Sequence, residues 1–355
     1  MNVTRRLEVA NHNPVGAVRE FLAAWWREAE LDALLAPVEL ADGKSIKTQV
    51  IDDPAGLAAV NPFAPVMLSN SATLVSKFSR DYPEGRLAAM LRPCELRALV
   101  ELRKRRNAPA ANDKVLILGV DCLSTLPPAA YAERVQAQGL KALTREGLAC
   151  AADGDCSPHR PRTACRVCRW PAPVGADVTL GAIGVLPDEY LLLVARDEAI
   201  DEQLRLGAVT DGIASEAEAV RREVAVGAIA GKRSKVQAEA SRSVPQRFND
   251  AGSMLAWFAG CSLCGDCLDA CPLYDGELGG LLGVGGTRYG GQALFAELVD
   301  VSRWLASCSG CGMCEEACGS DVPLTLFISA VTHRIQEELH YAAGDPSQRL
   351  PWAPC

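Results

Sequence analysis

Apolar residues recur along this chain at two different periods. Between positions 14 and 36 they fall three and four apart: Val15, Val18, Phe21, Leu22, Trp25 and Trp26, with Arg and Glu between and Pro14 near the start. That spacing predicts an amphipathic helix whose tryptophan pair sits in the core. Short runs at 46–51, 65–68 and 87–91 predict strands. After the last of these, Arg92-Pro93-Cys94-Glu95 reads as a turn, 95–106 as helix, and Val115–Val120 as a fully apolar strand. A strand, turn, helix and strand in that order belong to a sheet with helices packed on it.

Further along, 123–149 has a helical but polar pattern, and 150–175, rich in Cys, Pro, Gly and Arg, is expected to be irregular. Two more apolar runs, 177–185 and 190–195, are separated by the turn-like Leu186-Pro187-Asp188-Glu189. Residues 213–243 are Ala-rich and charged, which predicts a connecting helix with a break at Gly231. Amphipathic patterns return at 292–305 and from 322 to 335 and beyond. The division expected is an α/β (α+β) domain over 1–245 and an α-helical domain over 246–355.

Composition narrows the chemistry. Aspartate and glutamate number 44 against 36 lysines and arginines, a net charge of −8, the reverse of a nucleic-acid binder. The basic run 103–106 fits a helix C-terminus, where the dipole favours cations. No stretch of 18 apolar residues is present, so no membrane span is expected. The opening residues are not followed by a long apolar core, so no secretory leader is expected and a cytoplasmic location is. There is no nucleophile elbow, no H-E-x-x-H, no phosphate loop, and only four histidines. No side chain is therefore singled out as catalytic. The chain does hold 15 cysteines, and their C-x2-C spacings favour metal ligation over disulfides.

Eight of them form two motifs of the same spacing. Cys261, Cys264, Cys267 and Cys271 make C-x2-C-x2-C-x3-C followed by Pro272; Cys308, Cys311, Cys314 and Cys318 repeat it, followed by Gly319. Structural zinc usually pairs two separate C-x2-C turns. Four cysteines in eleven residues instead suit a 4Fe-4S cluster, and in two-cluster proteins the fourth cysteine crosses to the other cluster. The expected ligand sets are therefore Cys261, Cys264, Cys267 with Cys318, and Cys308, Cys311, Cys314 with Cys271. The gap between motifs carries a helix, so a helical ferredoxin domain is expected. The glycine-rich stretch from Gly276 to Gly291 reads as a loop, since no strand precedes it and no lysine is placed for phosphate.

Cys150, Cys156, Cys165 and Cys168 make a third group, open on spacing alone to zinc or to a third cluster. His159 among them reads as a surface residue. Cys122 reads as a small buried residue and Cys355 as free. Arg92, Cys94, Glu95 and Arg97 lie where a strand turns into a helix, a place suited to a flavin pyrophosphate or simply to a packed cysteine.

At this point a resemblance emerges. Cys165-Arg166-Val167-Cys168 with Ala176-Asp177-Val178-Thr179-Leu180-Gly181 resembles the C-x2-C…A-D-[IV]-x-x-G signature of coenzyme F-420 hydrogenase/dehydrogenase beta subunits. Arg92-Pro93-Cys94-Glu95-Leu96-Arg97-Ala98-Leu99 resembles that family's [GR]-x-P-C-[QE]-x-x-A-L segment, and Val115–Cys122 the strand after it. The tail, 335–341 with Gly344, resembles formate dehydrogenase beta subunits. Arg169-Trp170 departs from the acidic residue the family often has there. The resemblance implies FAD in the first domain and a 4Fe-4S cluster beside it, with Cys150, Cys156, Cys165 and Cys168 as ligands. It implies an iron–sulfur flavoprotein subunit that moves electrons between a catalytic alpha subunit, a metal-pterin formate dehydrogenase, and a deazaflavin or nicotinamide coenzyme. A hydrogenase or heterodisulfide-reductase partner, and a flavin-free ferredoxin-like adaptor, are the alternatives.

Overall fold

The computed structural model describes residues 2–105, 115–153, 160–247, 250–274 and 291–353. Seven strands form one mixed sheet: β1 (Val3–Glu8), β2 (Ala33–Glu39), β3 (Ile46–Ile51), β4 (Leu87–Leu91), β5 (Val115–Val120), β6 (Val178–Gly181) and β7 (Tyr190–Ala195). Their order across the sheet is β1-β7-β6-β5-β4-β2-β3. The central four, β2, β4, β5 and β6, run parallel, while β3, β7 and β1 add antiparallel edges.

Both faces are covered, which explains the unbroken apolar runs of the central strands. Leu34, Ala88, Met90, Leu118 and Val120 point to one side, where α1 (Pro14–Glu28) buries Val18, Phe21, Leu22 and Trp25. Ala33, Leu35, Leu87, Ala89, Leu91, Val115 and Ile117 point to the other, under α2 (Ala72–Asp81) and α3 (Pro93–Arg105). Asn13 caps α1 by accepting from the Gly16 amide.

The first helix is shorter than its pattern predicts. It stops at Glu28, the chain turns through Glu30 in a left-handed conformation, and Ala33–Glu39 enters the sheet as β2. Residues 65–68 lie outside any strand. The polar helical stretch divides at Gly139 (φ 81°) into α4 (Pro128–Gln138) and α5 (Leu140–Asp153). Within 150–175 one short helix forms, α6 (Thr163–Arg166), and α7 (Glu198–Gln203) follows β7. The apolar run 177–185 is strand only to Gly181; beyond it the buried Asp121 carboxylate takes the amides of Ala182 and Ile183 and pairs with Arg222 at 2.5 Å. The connecting helix α8 (Glu216–Arg247) runs without interruption through Gly231.

After α8 come α9 (Ala251–Trp257), α10 (Asp266–Asp269), α11 (Gly291–Ala306), α12 (Met313–Glu316) and α13 (Leu324–Glu338). No further strand forms there among the described residues, so this part is helical and the mixed sheet precedes it. α13 packs on α8, α11 and α12, and also reaches α6. The tail beyond α13 folds back onto α3. The fully buried Glu101 accepts from the Tyr341 hydroxyl at 2.6 Å, the Gly344 amide at 2.8 Å and Lys104 Nζ at 2.9 Å. Among the described residues no helix is long and apolar enough to cross a membrane.

Candidate iron–sulfur and cofactor site

The two four-cysteine motifs fold alike. In each, a glycine in the left-handed region stands between the second and third cysteines and starts a one-turn helix: Gly265 (φ 87°) before α10 and Gly312 (φ 72°) before α12. The two short helices pack together. The Cys271 thiol then lies within electrostatic reach of Cys311, and the Cys308 and Cys314 thiols each feel Cys271 and Cys311. Cys267 feels Cys261, Cys318 and Cys264. The fourth cysteine of each motif is thus brought to the other motif's group.

The surroundings of the two groups differ. Cys261 and Cys264 are exposed, and Leu263 between them is 77% exposed. The second group is covered by α11, α13 and the sheet domain. Burial pushes the Cys308 thiol up to about 12 and raises Cys314 and Cys271 as well. Trp304 Nε1 donates to Cys271 Sγ at 3.4 Å, and the Gly310 amide donates to Cys308 Sγ at 3.4 Å. The buried hydroxyls of Ser307, Ser309 and Thr325 find no partner among the described residues. Bridging sulfides of a cluster would accept from such donors, so this pocket suits an iron–sulfur group.

Among the described residues no three His, Cys, Asp or Glu side chains close on a point as the ligands of one ion do.

Residues 254–319 match a protein-family model described as the 4Fe-4S dicluster domain. That segment is similar to 4Fe-4S dicluster domains. The match takes in both cysteine motifs and ends one residue past Cys318. A chain of the coenzyme F-420-reducing nickel–iron hydrogenase complex from Methanosarcina barkeri is similar in structure, with a TM-score of 0.49 and 12% identity, covering 68% of this chain and 92% of that one.

The dicluster domain is seated against the sheet domain at three places. Leu273 joins the apolar core on the α3 side, with Cys271 and Trp304 packed on the same cluster. Gly312 touches α6: a Cβ there would lie 2.4 Å from the Cβ of Ala164, next to Cys165. Arg97, buried on α3, donates to the Ser309 carbonyl at 2.7 Å and the Ala343 carbonyl at 3.0 Å, and lies over the Trp170 ring. Desolvation lowers its pKa, while Cys168, Cys308 and Cys94 act to raise it.

Several of the residues expected at a cofactor have protein partners. Glu95 accepts from the Arg92 amide at 2.9 Å and the Ser71 amide at 3.1 Å, Arg92 donates to the Ala64 carbonyl, and Cys94 packs against Met67. The four residues expected at a flavin pyrophosphate are thus engaged with protein partners. Cys150 on α5 is buried beside Leu123, Leu143 and Pro161 in a small cavity of about 20 Å³. Cys165 and Cys168 instead have Cys122 and Cys94 for neighbours. Cys156, His159, Cys355 and the stretch 275–290 lie outside the described residues.

Among the described residues there is also a large cavity. It measures about 1060 Å³ and lies between Cys165 and Cys318. Arg160, Arg162, Arg166, Lys232 and Arg233 line it, against Glu315, Glu316 and Asp321, so its wall carries a net positive charge. Composition could not locate it, since its cations come from α6, α8 and the loop before α6.

Proposed function

We propose that this chain is the iron–sulfur electron-transfer subunit of a larger oxidoreductase, of the formate dehydrogenase beta type, and that it binds FAD in the cationic cavity between Cys165 and Cys318. The cavity carries the proposal. It is of a size that takes a dinucleotide, its cations suit two phosphates, and one cysteine of the dicluster domain lines its wall. Loaded, clusters carry single electrons and a flavin pairs them for hydride transfer to a deazaflavin or nicotinamide.

The chain's own residues supply place and charge. Arg233 on α8 donates to Ser124 Oγ at 2.8 Å and lines the cavity, ready to meet a phosphate oxygen. Arg162, 2% exposed, carries an Nη1 with no partner among the described residues. Buried arginines offset the negative charge of thiolate-ligated clusters, which the interior would otherwise penalise. The exposed first motif offers the face where a catalytic subunit could deliver electrons. The resemblance of the tail to formate dehydrogenase beta subunits supports formate as the donor, through a metal-pterin partner.

The full chain, isolated anaerobically with its co-expressed partner, should release flavin on denaturation. Replacing Arg233 and Lys232 by Ala should weaken flavin retention by roughly a hundredfold, taking each charge-assisted hydrogen bond as worth about 1.5 kcal/mol. A chain holding iron but no flavin would leave the ferredoxin-like adaptor.

A further inference from the structure

We propose that Arg97 tunes the cluster expected on the second cysteine motif: its guanidinium grips the peptide that hydrogen-bonds Cys308, and so raises that cluster's reduction potential. The inference rests on the proposed iron–sulfur function and adds to it a positioning residue that sets one potential.

A single peptide unit makes the connection. Arg97 Nη1 donates to the Ser309 carbonyl at 2.7 Å. The N–H of that same peptide belongs to Gly310, and it donates to Cys308 Sγ at 3.4 Å. Hydrogen bonds in a chain polarise one another, so a cation on the carbonyl oxygen makes the amide a stronger donor. Gly310 reaches this geometry at φ 70°, in the left-handed region that favours glycine. Reduction adds one negative charge to a cluster, so a stronger donor to its sulfur favours the reduced form.

The guanidinium's own charge acts in the same direction. Arg97 is 8% exposed. Burial lowers its pKa, and the groups that act to raise it are the thiols of Cys168, Cys308 and Cys94; no carboxylate is among these. Glu101, one turn further along α3, is taken up by Lys104, Tyr341 and Gly344. A buried guanidinium without a carboxylate is costly unless another anion faces it. A thiolate-ligated cluster is such an anion, and Arg97 lines one small cavity, of about 60 Å³, together with Cys308 and Cys314.

The side chain is held where it acts. Nε donates to the Ala343 carbonyl at 3.0 Å, and the guanidinium carbon lies 4.9 Å from the centroid of the Trp170 ring. Gly344 (φ 82°) is pressed onto the stem: an added Cβ there would lie 2.4 Å from Arg97 Cβ. The tail anchored on Glu101 thus clamps the guanidinium over the second motif.

The test is an EPR-monitored redox titration of the full chain, isolated anaerobically, with iron counted in every sample. The signal lost in Cys311→Ala identifies the second motif's cluster. In Arg97→Met its reduced-to-oxidised ratio at a fixed potential should drop about tenfold, a downward shift of about 59 mV for one electron. Arg97→Lys keeps the charge but not the planar fork, and its ratio should drop only about threefold. The first motif's cluster should not move in either variant. An unchanged potential in Arg97→Met, or an equal shift of both clusters, would overturn the assignment and leave the iron–sulfur function standing. Should Arg97→Met fail to hold iron, Arg97→Lys decides, and an unshifted potential there overturns the assignment. Fewer than about eight irons in the unaltered chain would overturn the iron–sulfur function and this inference together.

Discussion

The two cysteine motifs share one spacing and one local backbone, yet occupy opposite environments. The first leaves Cys261 and Cys264 at the surface, while the second lies under α11 and α13 against the sheet domain. The spacing fixes how thiolates wrap a cube; what lies outside the loop decides solvent access and charge, and those set a cluster's potential. The exposed member is suited to exchange with a partner and the buried one to passing electrons inward.

The comparison breaks most visibly at the crossed cysteines. Cys318→Ala should remove the exposed cluster, and Cys271→Ala the buried one, each at a loss of about four irons per chain. EPR that showed each substitution damaging its own motif's cluster would undo the crossed pairing. Next in size is Glu101→Ala, which strips the buried anchor from Tyr341, Gly344 and Lys104 and should cost about 3–5 kcal/mol in denaturant unfolding.

Iron removal should separate the motifs by pH. Burial lifts the Cys308 thiol from an ordinary value of 9.0 to about 12. A thiol raised in the folded chain binds its proton more tightly there, so its contribution is full below pH 9 and lost as pH rises toward 12. Melts of the metal-free chain should therefore fall in temperature above pH 9, and Cys308→Ala should flatten that fall.

The paired glycines give a finer contrast. An added Cβ at Gly265 meets nothing within 4 Å, whereas at Gly312 it meets Ala164 at 2.4 Å. Gly265→Ala should cost about 1–2 kcal/mol, the price of a left-handed alanine, and Gly312→Ala about 1–3 kcal/mol more from the collision. Equal melting temperatures would show that the second motif is not pressed onto α6. Smallest of all, Leu263→Ser at the exposed tip should leave stability within about 0.5 kcal/mol yet lower affinity for the catalytic partner in a binding titration.

The cysteine motifs, β4, α3 and β5 were legible because each is specified locally, by ligand spacing, by a turn before a helix, or by an apolar run. What escaped was set by partners far away in the chain. The pattern from 14 continues past Glu28 on paper, but pairing with β3 and β4 draws Ala33–Glu39 into the sheet. Gly231 looks like a break, yet a helix tolerates glycine at about 1 kcal/mol, and α8 gains packing from α6 and α13. Cys94 and Cys122 are 28 positions apart, and nothing short of the parallel register of β4 and β5 brings them together. The cationic cavity is hidden for the same reason.

The exposed thiols of Cys261 and Cys264 carry one more consequence. A cluster seated there stands open to dioxygen unless, as in the assembly proposed above, another subunit covers it. Order of assembly then becomes a form of protection: a chain that docks before it meets air keeps its outer cluster, and an orphan chain loses that cluster first.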